Sequence, residues 1–275
     1  CIRDSVDSDQ SIVNYVKKGE LPYDDPELES LLVKNVREGR LSAATDIKEP
    51  VSNSSVVLIF VPPRIDQKKR SDYSDIEKVC MDIGLSLRSG SLVILGNGSA
   101  PGVTETLVKE TLETASGMKA GTGFSLAYYV TRSAAGGGLQ DAVDCPKVFG
   151  AIDKKSSDLT RAFLSAITKG EIVEVSSIRA AEAVRVFENA YRDANTALSN
   201  DLACFCERAG IDFMEVRNAV NLRSPNCLFI PEIVGRNISD GSYLLIEEAE
   251  NTKTRLQTVM LARKINDAIL NQVFY

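Results

Sequence analysis

Residues 181–203 read Ala-Glu-Ala-Val-Arg-Val-Phe-Glu-Asn-Ala-Tyr-Arg-Asp-Ala-Asn-Thr-Ala-Leu-Ser-Asn-Asp-Leu-Ala. Apolar residues recur at Val184, Phe187, Tyr191, Ala194, Leu198 and Leu202. Those steps of three and four predict a helix with one buried face. Arg185, Asn189 and Asp193 stand four apart on another face. On a core helix such a face is the solvated side; in a site it is a row of converging polar groups. The helical pattern spans Ile178 to Ala209, stops at Gly210 and restarts behind the N-cap Asp212 as Phe213 to Val220. Tyr243 to Leu270 reads as one further long helix.

Ahead of this stretch the pattern alternates. Short apolar runs at Ser55 to Val61, Ser91 to Leu95, Phe124 to Tyr128, Cys145 to Gly150 and Glu171 to Val175 are strand-sized, with Ser55 to Val61 reading as fully buried. Between them lie helical segments such as Ile12 to Val16, closed by Gly19, and Ile76 to Leu87. Alternating strands and helices predict a parallel sheet with helices on both faces. The expected division is 1–177 for the α/β part and 178–275 for a helical layer.

The bulk numbers exclude several classes. With 275 residues the chain can bury a sizeable core, and a net charge of -6 argues against nucleic acid, whose binders present a basic face. No apolar run approaches a membrane span, and no signal peptide is visible, so a cytoplasmic protein is expected. Six cysteines, at 1, 80, 145, 204, 206 and 227, match no zinc spacing and read as reduced structural thiols, with Cys227 as a buried apolar residue. Histidine is absent, which removes imidazole bases, Ser-His-Asp triads and histidine metal ligands. Lys68-Lys69-Arg70 reads as a solvated loop in preference to an anion site.

Several separated motifs then occur in a fixed order. They are Val6-Asp7-Ser8-Asp9 before a short amphipathic helix, Pro26-Glu27-Leu28 with Leu31-Leu32, Gly39-Arg40-Leu41, and Val61-Pro62-Pro63. Pro101-Gly102-Val103-Thr104-Glu105, Phe124-Ser125-Leu126-Ala127-Tyr128, Glu188-Asn189 with Arg192 and Asn195, and Ala262-Arg263-Lys264-Ile265-Asn266-Asp267 follow. Together they resemble the UDP-glucose/GDP-mannose dehydrogenase family, the nucleotide-sugar 6-dehydrogenases. The resemblance implies an α/β, Rossmann-like parallel sheet whose first βα unit is missing, followed by an all-helical layer that forms a homodimer core. The chain begins at Cys1 without a methionine, so a missing N-terminus is expected, and the family's C-terminal nucleotide-sugar-binding domain is expected to be absent.

The resemblance also assigns roles by position. Asp7 falls where an acidic residue holds the adenosine ribose of NAD, although a helix N-cap is the competing reading. Pro63 and Gly98 fall where the family has cofactor-contacting and water-positioning threonines. Thr131 replaces a carboxylate of the hydrolytic half-reaction, and Arg132 keeps its arginine. Arg185 replaces the catalytic lysine, and Asn189 matches the family asparagine. Counting back from Tyr243-Leu244-Leu245, the nucleophilic cysteine falls on Asn237 and an aspartate on Gly241, with Asp240 one position away as a possible substitute. Phe229 and Gly235 fall in the family's substrate-binding segment.

In the family a cysteine thiolate takes part in the oxidation of an alcohol to an acid with two equivalents of NAD. An asparagine amide is not a nucleophile, and a guanidinium cannot give up a proton as an amine can. The expectation is a family protein unable to complete that oxidation, with weak or no NAD binding. The alternatives are a non-enzymatic dimerising or regulatory subunit of an active relative, and an oxidoreductase restricted to the alcohol step.

Overall fold

The computed structural model describes residues 3–131, 138–223 and 227–273. They form two compact units, and these do not follow chain order simply. The first holds residues up to Val61, Ser74–Asn97 and Gly102–Ala181; the second holds Pro62–Tyr73, Gly98–Pro101 and everything from Glu182 onward.

The first unit is α/β. Strand β1 (Arg3–Val6) leads into helix α1 (Gln10–Lys18), where the Asp9 carboxylate accepts from the backbone N–H of Ser11 and Gly19 ends the helix in the left-handed region at φ 76°. Helix α2 (Pro26–Arg37) is capped by Asp25, with Pro26 in its first turn. Strand β2 (Leu41–Ala44) pairs parallel with β1, in register from Arg3 opposite Leu41 to Val6 opposite Ala44. Helix α3 (Lys48–Ser52) packs against β1 on the way to β3 (Val56–Ile59).

Past an excursion into the second unit, formed by the short hairpin β4 (Arg64–Ile65) and β5 (Ser71–Asp72), the chain continues as α4 (Ser74–Gly84) and β6 (Leu92–Leu95). A π-helical turn, Thr104–Val108, then runs into α5 (Lys109–Ser116), which packs on α4. Strand β7 (Ser125–Tyr129), helix α6 (Gly138–Asp144), β8 (Lys147–Ala151), α7 (Lys154–Ser165) and β9 (Ile172–Glu174) complete the unit.

Two features depart from the single parallel sheet expected. The order β3-β6-β7-β8-β9 has β8 antiparallel to β7, and β1-β2 forms a separate sheet. The connection from Tyr129 through α6 to Lys147 exceeds the dozen residues that a parallel crossover needs, so its length does not decide the direction of β8. Because β3 is an edge of the five-stranded sheet, Leu58 and Phe60 stay substantially exposed instead of buried. The core of this sheet lies deeper, in Leu92, Ile94, Ala127, Tyr129, Phe149 and Leu164.

The second unit is helical: α8 (Ile178–Ala209, its first turn in the first unit), α9 (Phe213–Asn221), α10 (Arg236–Asn251) and α11 (Gln257–Val273). Asp212 caps α9 by accepting from the N–H groups of Met214 and Glu215. The segment read as one helix from Tyr243 is two, broken where Lys253 takes φ 57°. A non-glycine residue in that region ends a helix.

The orientation of α8 reverses the reading of its apolar stripe. Phe187, Tyr191 and Leu198 are 59%, 62% and 50% exposed, as is Phe205 at 61%. The buried side carries Glu182, Val186, Asn189, Ala190, Asp193, Thr196, Ala197, Ser199 and Asn200. Small and polar groups face inward because the rest of the unit supplies their hydrogen-bond partners, which is the condition for burying them.

Candidate functional site

The buried polar face of α8 organises its surroundings residue by residue. Toward its C-terminal half, the Ser199 hydroxyl accepts from the Phe229 N–H at 3.1 Å. The Asn200 amide both donates to the Glu232 carbonyl and accepts from the Glu232 N–H, each at 3.1 Å. Asn221 of α9 does the same for Leu228, at 3.0 and 2.9 Å. The extended segment 228–232 is thus fixed by side-chain amides in place of a strand partner. Phe229 also meets Tyr191 edge to face, with ring centroids 6.4 Å apart.

One element further on, Gly235 begins α10 without a side-chain cap, and Asn237 lies in the first turn. A turn later Gly241 meets Asn189: a Cβ built on Gly241 would stand 2.1 Å from the Asn189 Nδ2. Segment 229–232 therefore lies at residues 199–200 of α8, and residue 241 lies at residue 189, so α8 and α10 run antiparallel. Asn189 is 5% exposed and faces this seam; Arg185, one turn earlier on α8, is half-buried.

Asp240, the possible substitute for the aspartate, stands in the second turn of α10. It is next to Gly241 but turned about 100° around the helix. Burial pushes its carboxyl up, and Arg236, Lys69, the Ser239 hydroxyl and Arg263 oppose this.

The α11 side of the helical unit holds a polar network that the sequence did not mark as one. Asp193, fully buried, accepts from Arg263 Nη1 at 2.6 Å and from Asn266 Nδ2 at 2.7 Å. Arg263, 5% exposed, also pairs with Asp267, and its guanidinium lies 5.3 Å from the centroid of the Tyr243 ring. Tyr243 donates its hydroxyl hydrogen to Asp267. Asn200 completes the chain by donating to Asn266 at 3.0 Å. A buried carboxylate is tolerable only with such compensation. The signal was present in Ala262-Arg263-Lys264-Ile265-Asn266-Asp267, but spacing on one helix cannot show that its partners are on another.

Lys68, Lys69 and Arg70 are exposed, as expected of a solvated loop, and two of them also make contacts. Arg70 pairs with Glu250 at 2.7 Å, Lys69 lies 4.7 Å over the Tyr243 ring, and the Ser71 N–H donates to Glu247 at 2.8 Å. These contacts and α10 and α11 outline a groove of about 260 Å³ lined by Lys68, Lys69, Tyr243, Arg263 and Asp267. Its positive charges are largely matched by carboxylates.

Two further buried groups went unnoticed in the sequence. Glu182 is fully buried and accepts from the Ser99 hydroxyl at 3.3 Å. Tyr73 accepts from the Ala100 N–H at 3.3 Å, and burial pushes its phenol up to about 12.

In the first unit, Asp7 follows β1 half-buried, with one carboxylate oxygen accepting from the Asp9 N–H at 2.9 Å. The cap of α1 belongs to Asp9, which leaves Asp7 compatible with a ribose contact. At the ends of β6 and β7, Thr131 commits its hydroxyl to the Gly96 carbonyl at 2.6 Å, and Phe60 and Tyr129 stack edge to face at 6.2 Å. In the second unit, Pro63 and Gly98 offer no side-chain donor. Arg132 lies outside the described residues.

The five described cysteines are free thiols, and among the described residues no group of His, Cys, Asp and Glu could hold a metal ion. Cys227 is exposed and not buried as expected, because segment 228–232 is tied down just beyond it. Among the described residues no helix is long and apolar enough to cross a membrane.

Residues 4–168 match the NAD binding domain of the UDP-glucose/GDP-mannose dehydrogenase family, and residues 179–268 match its central domain. The chain belongs to this family. The NDP-N-acetyl-D-galactosaminuronic acid dehydrogenase of Ralstonia nicotianae is 27% identical over 272 residues, which is 96% of this chain and 62% of that protein. The UDP-N-acetyl-D-mannosamine dehydrogenase of Methanococcus maripaludis is 27% identical over 95% of this chain and 58% of its own length. Among solved structures, the UDP-D-ManNAc dehydrogenase of Pyrococcus horikoshii superposes with a TM-score of 0.88 at 25% identity, over 96% of this chain and 62% of that one. The chain thus spans about three fifths of the length of the dehydrogenases it matches. As a member of the dehydrogenase family it has the parallel-rich α/β architecture and helical C-terminal region of these relatives.

Proposed function

We propose that this chain is the NAD-binding-type and central part of a nucleotide-sugar 6-dehydrogenase that does not complete the oxidation of alcohol to acid. The observation that carries the reading is the α8–α10 seam. It presents Asn189 against Gly241, and the first turn of α10 carries Asn237 where the resemblance places the cysteine. Cys204 stands 15 residues along α8 from Asn189, about 22 Å at the rise of a helix. Cys227 lies ten residues before Asn237 in sequence, beyond the tethered segment 228–232. A thioester needs a soft, deprotonable nucleophile at the reacting carbon, and an amide cannot serve. Arg185 keeps a positive charge but cannot give up a proton. In this reading, Asp7 holds the ribose of NAD, which supplies hydride acceptance when bound. Arg132, Phe229 and Gly235 are the residues assigned to the nucleotide-sugar.

The test is product analysis. The protein is incubated with NAD and UDP- or GDP-sugars, and the sugar product is examined by mass spectrometry. No uronic acid is expected, and none from Asn237→Cys, because the groups that handle the water are also replaced. Acid production by the unmodified protein would overturn the proposal.

A second reading, a dimerising or regulatory subunit of an active relative, draws on the outward apolar row Phe187, Tyr191, Leu198 and Phe205. Contiguous exposed apolar surface of this kind marks interaction sites.

A further inference from the structure

We infer that Asn200 and Asn221 are positioning residues: their side-chain amides hold segment 228–232 at both ends and so set where Phe229 stands. Each amide does for one residue what a neighbouring strand would do, donating to its carbonyl and accepting from its N–H. Asn221 makes this pair of bonds with Leu228, at 3.0 and 2.9 Å, and Asn200 makes it with Glu232, at 3.1 Å both ways. Between the two clamps the Ser199 hydroxyl accepts from the Phe229 N–H at 3.1 Å, and Pro231 has no N–H to place. The Phe229 ring, held in this way, meets Tyr191 edge to face. No common replacement keeps both bonds of a clamp. Aspartate accepts but cannot donate, alanine does neither, and glutamine is one methylene longer.

The direction of the Asn200 amide is imposed from inside the helical unit. The Asp193 carboxylate and main-chain carbonyl can only accept, so Asn266 turns its Nδ2 toward them, at 2.7 and 2.9 Å. That leaves the Asn266 oxygen to accept from Asn200 Nδ2 at 3.0 Å, and the Asn200 oxygen to accept from the Glu232 N–H. Asn200 is 3% exposed, and both its amide nitrogen and its oxygen are committed. A carboxylate buried on α8 thereby orients, through two amides, the main chain of a segment that belongs to neither α8 nor α11.

The link to a ligand rests on the nucleotide-sugar reading above, which assigns Phe229 to the substrate, and two measurements separate the clamps from that reading. Amide hydrogen exchange of the full chain, resolved by residue, tests the clamps with no ligand present. Asn221→Ala is expected to speed exchange at Leu228, and Asn200→Ala at Glu232, by about tenfold or more, while the interior amides of α8 keep their rates. Unchanged exchange at Leu228 and Glu232 in these variants overturns the inference. Titration calorimetry with UDP-glucose and with GDP-mannose tests the placement of Phe229. Affinity is expected to fall about tenfold in each variant, a loss that general destabilisation does not explain when α8 exchanges as before. Affinity equal to that of the unmodified protein, with exchange accelerated, overturns the positioning role. When the unmodified protein binds neither sugar nucleotide, the nucleotide-sugar reading fails and exchange alone decides the clamps. Asn200 is buried in the Asp193 network, so its variant is the one at risk of not folding; Asn221→Ala, at the half-buried end of α9, then carries the test.

Discussion

Asp267 shows how a single residue in the helical unit links structure to pH. Burial would raise its carboxyl, but the Tyr243 hydroxyl and the Arg263 guanidinium outweigh this and hold its pKa below the ordinary 3.8. A folded-state value below the unfolded one means that the stabilisation is fully present above the unfolded pKa. It is lost as pH falls from about 4 through the depressed folded value. Since Asp267 is about one-third exposed, solvent screens much of its interaction and the effect is modest. Asp267→Asn is expected to lower stability near neutral pH and to flatten the decline below pH 4, as followed by urea unfolding from pH 2.5 to 7. An unchanged acid limb in the variant would assign the acid sensitivity elsewhere. Asp193 differs in kind: it is fully buried, so its pairing with Arg263 compensates for desolvation instead of adding surplus stability.

Among the elements, α8 is the one whose two faces carry opposite demands. Hydrogen bonds of Asp193, Ser199 and Asn200 hold its inward polar face within the unit, although Asp193 Oδ2 is buried without a partner, and its apolar row points out. A helix of 32 residues gains most of its stability from packing, so a row of exposed aromatic and leucine side chains calls for a partner surface. We propose that a second copy of the chain supplies it. Tyr191→Glu combined with Leu198→Glu is expected to convert a dimer into a monomer in sedimentation velocity at tens of micromolar, with the far-UV circular dichroism unchanged. An unmodified protein that sediments only as a monomer at that concentration would remove the proposal. The hairpin β4–β5 is the other informative element. It leaves β3 and returns to α4, yet its Arg70 and Ser71 bind Glu250 and Glu247 of α10, which places it in the helical unit.

For the whole molecule, the cofactor question turns on what the sheet presents. The β1-β2 pair ends at Asp7, and the five-stranded sheet begins separately at β3. Within these 275 residues there is no G-x-G-x-x-G to bring backbone N–H groups to a pyrophosphate at a helix N-terminus. Pro63 and Gly98 add no hydroxyl, and that of Thr131 is already committed. Titration calorimetry of this chain with NAD is expected to show no micromolar binding. A micromolar dissociation constant would show that Asp7 and the strand ends suffice.

Sequence by itself determined the family, the α/β-then-helical order and most element positions. The reason is that caps, glycine stops and periodicity are local: Asp9 and Gly19 bound α1, and Gly210 and Asp212 separate α8 from α9. It also showed which residue types stand at the motif positions, including Asn237 and Arg185. Which way α8 turns was a tertiary decision. A period of 3.6 identifies two faces but not which is covered, and here buried partners such as Arg263 and Asn266 drew the polar face inward. The antiparallel course of β8, the break between β1 and β3, and the exposure of Leu58 and Phe60 were likewise beyond a local pattern, since each depends on which strands become neighbours. The Gly241–Asn189 contact joins positions 52 residues apart, and only the folded chain brings them together.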